Sequence, residues 1–159
     1  MDVRLSRLRS GEVIAAAAAV ILLVDLLAVS WYSSTGVDVV SVRGWDALSI
    51  LRWVILLTIV VAFALAWFQA TRRAPALPVS LSTIATALGT FTTLALIWRV
   101  LISLPGPDGV GVSTSADAGA YVGLASALVL TAGALWSLRQ EDPPDPVRNE
   151  AIEVVTLRG

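Results

Sequence analysis

Four apolar runs separated by short polar breaks set the reading of this chain. The first extends from Val13 to Trp31 and is interrupted only by Asp25. The others run from about Ala47 to Gln69, Val79 to Ser103 and Ala118 to Leu138, and each, as a helix rising 1.5 Å per residue, spans roughly 30 Å of hydrocarbon. The breaks carry turn chemistry: Ser33-Ser34-Thr35-Gly36, Arg72-Arg73-Ala74-Pro75 with Pro78, and Pro105-Gly106-Pro107-Asp108-Gly109. The pattern predicts an all-α membrane protein. Residues 1–139 form a four-transmembrane-helix bundle with helices at about 13–33, 47–70, 79–103 and 118–138 and short outer loops. Residues 140–159, opening Gln140-Glu141-Asp142-Pro143-Pro144-Asp145-Pro146, are acidic and proline-rich and are expected to be a disordered cytoplasmic tail.

Composition agrees, with 57% hydrophobic and 14% charged residues in 159 and a mean hydropathy of +0.81. A soluble domain of this length does not tolerate so much apolar surface. Cysteine and histidine are absent, which removes disulfides, thiolate catalysis, Fe–S ligation, haem ligation by histidine and imidazole acid–base chemistry. No cofactor, metal site or catalytic residue is expected, and the near-neutral net charge of -1, without a basic patch, argues against a nucleic-acid partner. Every basic residue is arginine, the codon usage of a GC-rich bacterial genome.

Arginine placement gives an orientation. Arg4, Arg7, Arg9, Arg72, Arg73 and Arg139, with Arg148 and Arg158 in the tail, fall on one side of the spans, and Arg43, Arg52 and Arg99 lie toward the other. The positive-inside rule places the first set, and both termini, in the cytoplasm. Trp31, Tyr32, Trp45, Trp53, Trp98 and Tyr121 are then expected at the outer interface, and Trp67, Phe68 and Trp136 at the inner one. A competing reading makes residues 1–30 a cleavable signal peptide ending at Ala28-Val29-Ser30; the length of the apolar run and the intrusion of Asp25 weigh against it.

Asp25 is the sharpest single residue, because an ionisable group inside a span costs about 3 kcal/mol or more unless paired, protonated or wet. It lies about 12 Å from the outer end of its helix, at the depth where Arg52 and Arg99 enter helices 2 and 3, and Tyr32 follows at i+7. Asp25, Tyr32, Arg52 and Arg99 therefore form a candidate intramembrane polar network, read either as a structural Asp–Arg pair or as a proton- or cation-coupling site. Thr83, Thr86, Thr90 and Thr93 make one stripe on helix 3, suited to stitching helices or to lining a polar path. Gly119 with Gly123, and Gly11 with Ala15, Ala18 and Ala19, are small-residue faces for close helix contact. Val37 to Val42 and Val110 to Ser113 alternate like strands and are expected to pair above the bundle. Asp38, Asp46, Asp108 and Asp117 lie in outer segments without ligand spacing for a cation, and Asp46 and Asp117 suit helix starts.

At Arg9-Ser10-Gly11-Glu12, Trp31-Tyr32-Ser33, Gly44-Trp45-Asp46-Ala47, Leu77-Pro78-Val79 and Gly119-Ala120-Tyr121-Val122-Gly123-Leu124 the chain resembles uncharacterised four-span membrane proteins of actinobacteria. The resemblance implies four helices, an inner-membrane location and no assigned activity. Asp25 stands where that pattern carries a neutral residue, so the resemblance lends it no role. The expectation is a structural or accessory protein of the inner membrane, held in the lipid bilayer and associating with another membrane protein or with itself. The alternative is a small oligomeric transporter or channel subunit that couples through Asp25.

Overall fold

A computed structural model of the chain describes residues 10–35, 40–71, 78–104 and 113–140. Helix α1 (Ser10–Ala28) is an alanine-rich run of strong helix formers. It stops because the next residues, Ser30-Trp31-Tyr32-Ser33-Ser34-Thr35, favour extended backbone; they form strand β1 (Ser30–Thr35). Strand β2 (Val40–Arg43) leads into a single helical turn, α2 (Gly44–Ala47). Helix α3 (Leu51–Thr71) returns across the bundle, and α4 (Pro78–Ile97) opens on Pro78, whose fixed φ suits a first helical position. Helix α4 ends in a π-helical turn, Trp98–Ile102, closed by the Ser103 amide donating to the Trp98 carbonyl at 2.8 Å. Strand β3 (Ser113–Ala116) precedes α5 (Ala118–Gln140).

Among the described residues, four helices are long and apolar enough to cross a membrane. Their contacts run α1–α3–α4–α5 and back to α1, with α1 and α5 most closely joined. The core between them is built from Leu22, Leu26, Ile55, Ile59, Leu96 and Leu130. Glycine sets the α1–α5 approach: a Cβ on Gly133 would stand 2.8 Å from both the Ala15 nitrogen and the Gly11 carbonyl oxygen. Both small-residue faces read from the sequence are thus spent inside one bundle. Threonine does the remaining stitching. Thr58 gives its proton to the Val54 carbonyl at 2.8 Å, so Thr92 is the donor in the 2.6 Å contact joining α4 to α3. Likewise Thr131 donates to the Ala127 carbonyl and accepts from Thr93 at 3.1 Å, joining α4 to α5.

The all-α expectation needs correcting, since the three strands form an antiparallel sheet of order β2-β1-β3 over one end of the bundle. Its edges overlap the alternating segments expected to pair, but its centre is β1, whose first four residues were expected to finish helix 1. The register with β2 shifts between Ser30 and Tyr32, leaving Trp31 as the extra residue of a bulge. Successive strand residues normally face opposite ways. The bulge explains why Trp31 and Tyr32 are nonetheless both buried, at 0% and 2% exposure, rather than lying in an outer aromatic belt. Trp53, Trp98 and Tyr121 near the sheet, and Trp67, Phe68 and Trp136 at the other end, are exposed as expected of membrane-facing aromatics. The expected tail beyond Gln140, and Asp38, Asp108 and the arginines at positions 4, 7, 9, 72 and 73, lie outside the described residues.

Candidate functional site

Burial of an ionisable group is the first thing to locate, and the last turn of α1 supplies it. Asp25 is 3% exposed, and neither carboxylate oxygen has a hydrogen-bond partner. Its surroundings are the backbone of α5 and an indole: a Cβ on Gly123 would meet Asp25 Oδ2 at 2.8 Å and Trp31 Cη2 at 2.6 Å. The Trp31 indole N–H is directed at the main-chain carbonyl of Asp25, 3.3 Å away. Trp31 is fixed there because Gly44, Gly119 and Gly123 all border its ring without a side chain.

Tyr32 is held beneath the sheet, and its hydroxyl is buried without a partner. Burial pushes its phenol up to about 12, partly offset by the positive charge of Arg99. Arg99 sits in the π-helical turn and donates from Nη1 to the Ser103 carbonyl at 3.2 Å. Arg52, in the first turn of α3, donates from Nη1 to the Trp45 carbonyl at 3.2 Å. Its guanidinium carbon stands 5.0 Å from the Trp45 ring centre and 5.7 Å from that of Trp53, which are themselves edge to face.

The fold therefore brings Asp25, Tyr32, Arg52 and Arg99 to the sheet end without joining them by hydrogen bonds. Among the described residues no ion pair links Asp25 to either arginine. Instead, Arg99 is turned to a carbonyl of its own turn, and Arg52 to the Trp45 carbonyl and the faces of Trp45 and Trp53, with its buried Nε left without a partner.

Two other features escaped the sequence reading. Glu12, at the opposite end of α1, is 1% exposed and accepts a hydrogen bond from Ser137 of α5 at 3.3 Å. Its position beside Gly11, where the two helices touch, was the available signal. The second is a row of serines across the sheet, Ser41, Ser33 and Ser115. Ser33 Oγ donates to Asp117 Oδ1 at 2.8 Å and lies 3.1 Å from Ser115 Oγ. Asp117 starts α5, its carbonyl accepting from the Ala120 amide, while its carboxylate ties that start to the sheet. Among the described residues no group of three metal-ligating side chains occurs.

No protein-family model, curated protein or solved structure matches the chain. Inference about function thus rests on these contacts alone. In the threonine stripe, Thr93 bonds across to α5 and Thr90 bonds back to the Thr86 carbonyl at 2.8 Å, while the Thr86 hydroxyl is buried without a partner. Within the stripe, then, Thr93 joins two helices and Thr90 serves its own.

Proposed function

We propose that this chain is a non-enzymatic, multi-pass accessory protein of a bacterial inner membrane, with the sheet outward and both termini in the cytoplasm. It works by association with another membrane protein or with itself. The supporting observation is how its interior polar groups are used: Thr58 with Thr92, Thr93 with Thr131, and Ser137 with Glu12 bind helix to helix. A bundle closed by such contacts is a scaffold rather than a conduit. Orientation rests on the arginine count in the sequence, where Arg4, Arg7, Arg9, Arg72, Arg73 and Arg139 fall on one side of the spans against Arg43, Arg52 and Arg99 on the other, the sheet side.

One observation favours a second reading, a small oligomeric transporter subunit coupling through Asp25: the partnerless burial of that carboxylate. Purified protein in liposomes separates the two. The accessory reading expects no proton or potassium flux above protein-free vesicles, and in-membrane crosslinking that yields a discrete self-associated or heteromeric species. Flux that disappears in Asp25→Asn at matched reconstitution would replace it with the transporter reading. For orientation, a phosphatase reporter fused after Gln140 should be inactive and one placed in the β1–β2 turn active.

A further inference from the structure

We propose that Asp25 is a proton-exchange site, binding and releasing a proton in the sealed space between α1, α5 and the Trp31 ring. This goes beyond the accessory role and requires only that α1 crosses the bilayer.

An ionised carboxylate without a partner in an apolar interior costs several kcal/mol, so something must answer the charge whenever it forms. Water that reaches the group would exchange the same proton, so three answers separate the readings: an arginine, a metal ion or a proton. The ionisable side chains brought to this end are Tyr32 on β1, Arg43 on β2, Asp46 on α2, Arg52 on α3, Arg99 in the π-helical turn, Asp117 ahead of α5 and Tyr121 in the first turn of α5. None of them hydrogen-bonds to Asp25, whose two oxygens have no partner. A metal ion needs several oxygen ligands, and no cluster of three candidate ligands exists among the described residues. The α5 side of the carboxylate is closed, since a methyl group on Gly123 would press against the Trp31 ring and stand 2.8 Å from Oδ2. A proton needs neither a cage nor further ligands. Asp25 is also 97% hidden while sitting in the last turn of α1, one short segment from the sheet and its solvent, which leaves a short route for exchange. Tyr32, whose buried hydroxyl also lacks a partner, carries a group able to donate and accept along such a route.

The test uses the full chain in phosphatidylcholine liposomes with the same pH inside and out, stepped from about 5 to 9. Infrared difference spectra of wild type minus Asp25→Asn should contain the carbonyl stretch of one un-ionised carboxylic acid, and that band should fade as pH rises. Dicyclohexylcarbodiimide, which is lipid-soluble, then locates the acid. The carboxyl proton moves to one carbodiimide nitrogen and the carboxyl oxygen bonds to the central carbon. The adduct rearranges to a stable N-acylurea with no leaving group. Peptide mapping should find it on Asp25, with labelling falling about ten-fold per pH unit above the midpoint of the infrared titration. A water-soluble carbodiimide should label Asp25 far more slowly. The proposal is overturned if Asp25 is unlabelled at every pH, if both reagents label it equally fast, or if labelling does not change with pH. The labelling map is made on wild type, so it decides the matter even where Asp25→Asn fails to fold. An absence of flux in the liposome assay leaves this site untouched, and loss of the titration leaves the accessory reading untouched.

Discussion

Trp31 occupies the space that Gly123 leaves by having no side chain, and it does so while hydrogen-bonded to the carbonyl of Asp25. The same ring touches Gly44 of α2 and Gly119 of α5, so one residue fixes the end of α1, the sheet and the start of α5 against one another. That wedge is the structural keystone of the sheet end. Everything near Asp25 depends on its placement.

Gly123→Ala should therefore destabilise the protein by about 1–3 kcal/mol, since the new methyl meets a locked ring rather than a mobile chain end. Trp31→Leu alone should also be costly, because it empties a fully buried indole site. The two changes should be strongly non-additive, as the leucine frees the space the methyl needs. Thermal unfolding in detergent of both single variants and the double variant checks this. Additive losses would mean that the wedge does not exist.

At the other end of the α1–α5 contact, Gly133→Ala should be more harmful than Gly89→Ala. A Cβ at Gly133 meets backbone, the Ala15 nitrogen and the Gly11 oxygen, which cannot move aside without separating the helices. At Gly89 the nearest atom is the Thr131 hydroxyl oxygen at 2.8 Å, which can rotate away at the loss of its bonds to Ala127 and Thr93, each worth about 1 kcal/mol. Unfolding midpoints of the two variants measured side by side give the ranking.

The hydroxyl pair between α3 and α4 invites a double-mutant cycle. Thr58→Val and Thr92→Val keep side-chain shape and remove the 2.6 Å bond. The coupling energy should lie near 0.6 kcal/mol and not above about 1.7 kcal/mol, the range for such bonds inside membranes. A coupling indistinguishable from zero would show that the two hydroxyls serve only their own helices.

Much of this architecture was legible in the sequence because lipid-spanning helices carry a strong one-dimensional signal. Apolar length alone locates α5, and α4 together with its π-helical turn, to within two residues of their observed ends. The end of α1 was not legible, because Val29 to Tyr32 is as apolar as a helix while its Trp, Tyr and Ser residues are drawn into a sheet by strands distant in sequence. Register of that kind is a property of pairing, not of local composition. The candidate site was half legible for the same reason. Asp25 stood out as a charge in a hydrophobic run, yet the side chain against it, Trp31, had been given to the membrane interface. Hydropathy ranks tryptophan as an interface residue and has no means of knowing that three glycines will enclose it.

Tyr32 offers the pH-dependent prediction. Its hydroxyl is buried and partnerless, and its phenol is held up to about 12 from the ordinary value of 10. As pH rises from about 10 to 12 the unfolded chain loses this proton while the folded chain retains it. The folded state then binds more protons than the unfolded state, so stability falls through that window. Below about pH 10 the contribution is constant. Tyr32→Phe removes the titrating group and should flatten this part of the alkaline decline. At neutral pH the same substitution should be neutral or stabilising by up to about 1–3 kcal/mol, because it deletes a buried hydroxyl that bonds to nothing. Tyr121, the other tyrosine, is exposed on α5, and Tyr121→Phe is the matched substitution for comparison. Unfolding midpoints of wild type and the two variants between pH 8 and 12 decide the matter. A wild-type decline retained in full by Tyr32→Phe would mean that water or a neighbour satisfies the phenol in the folded protein.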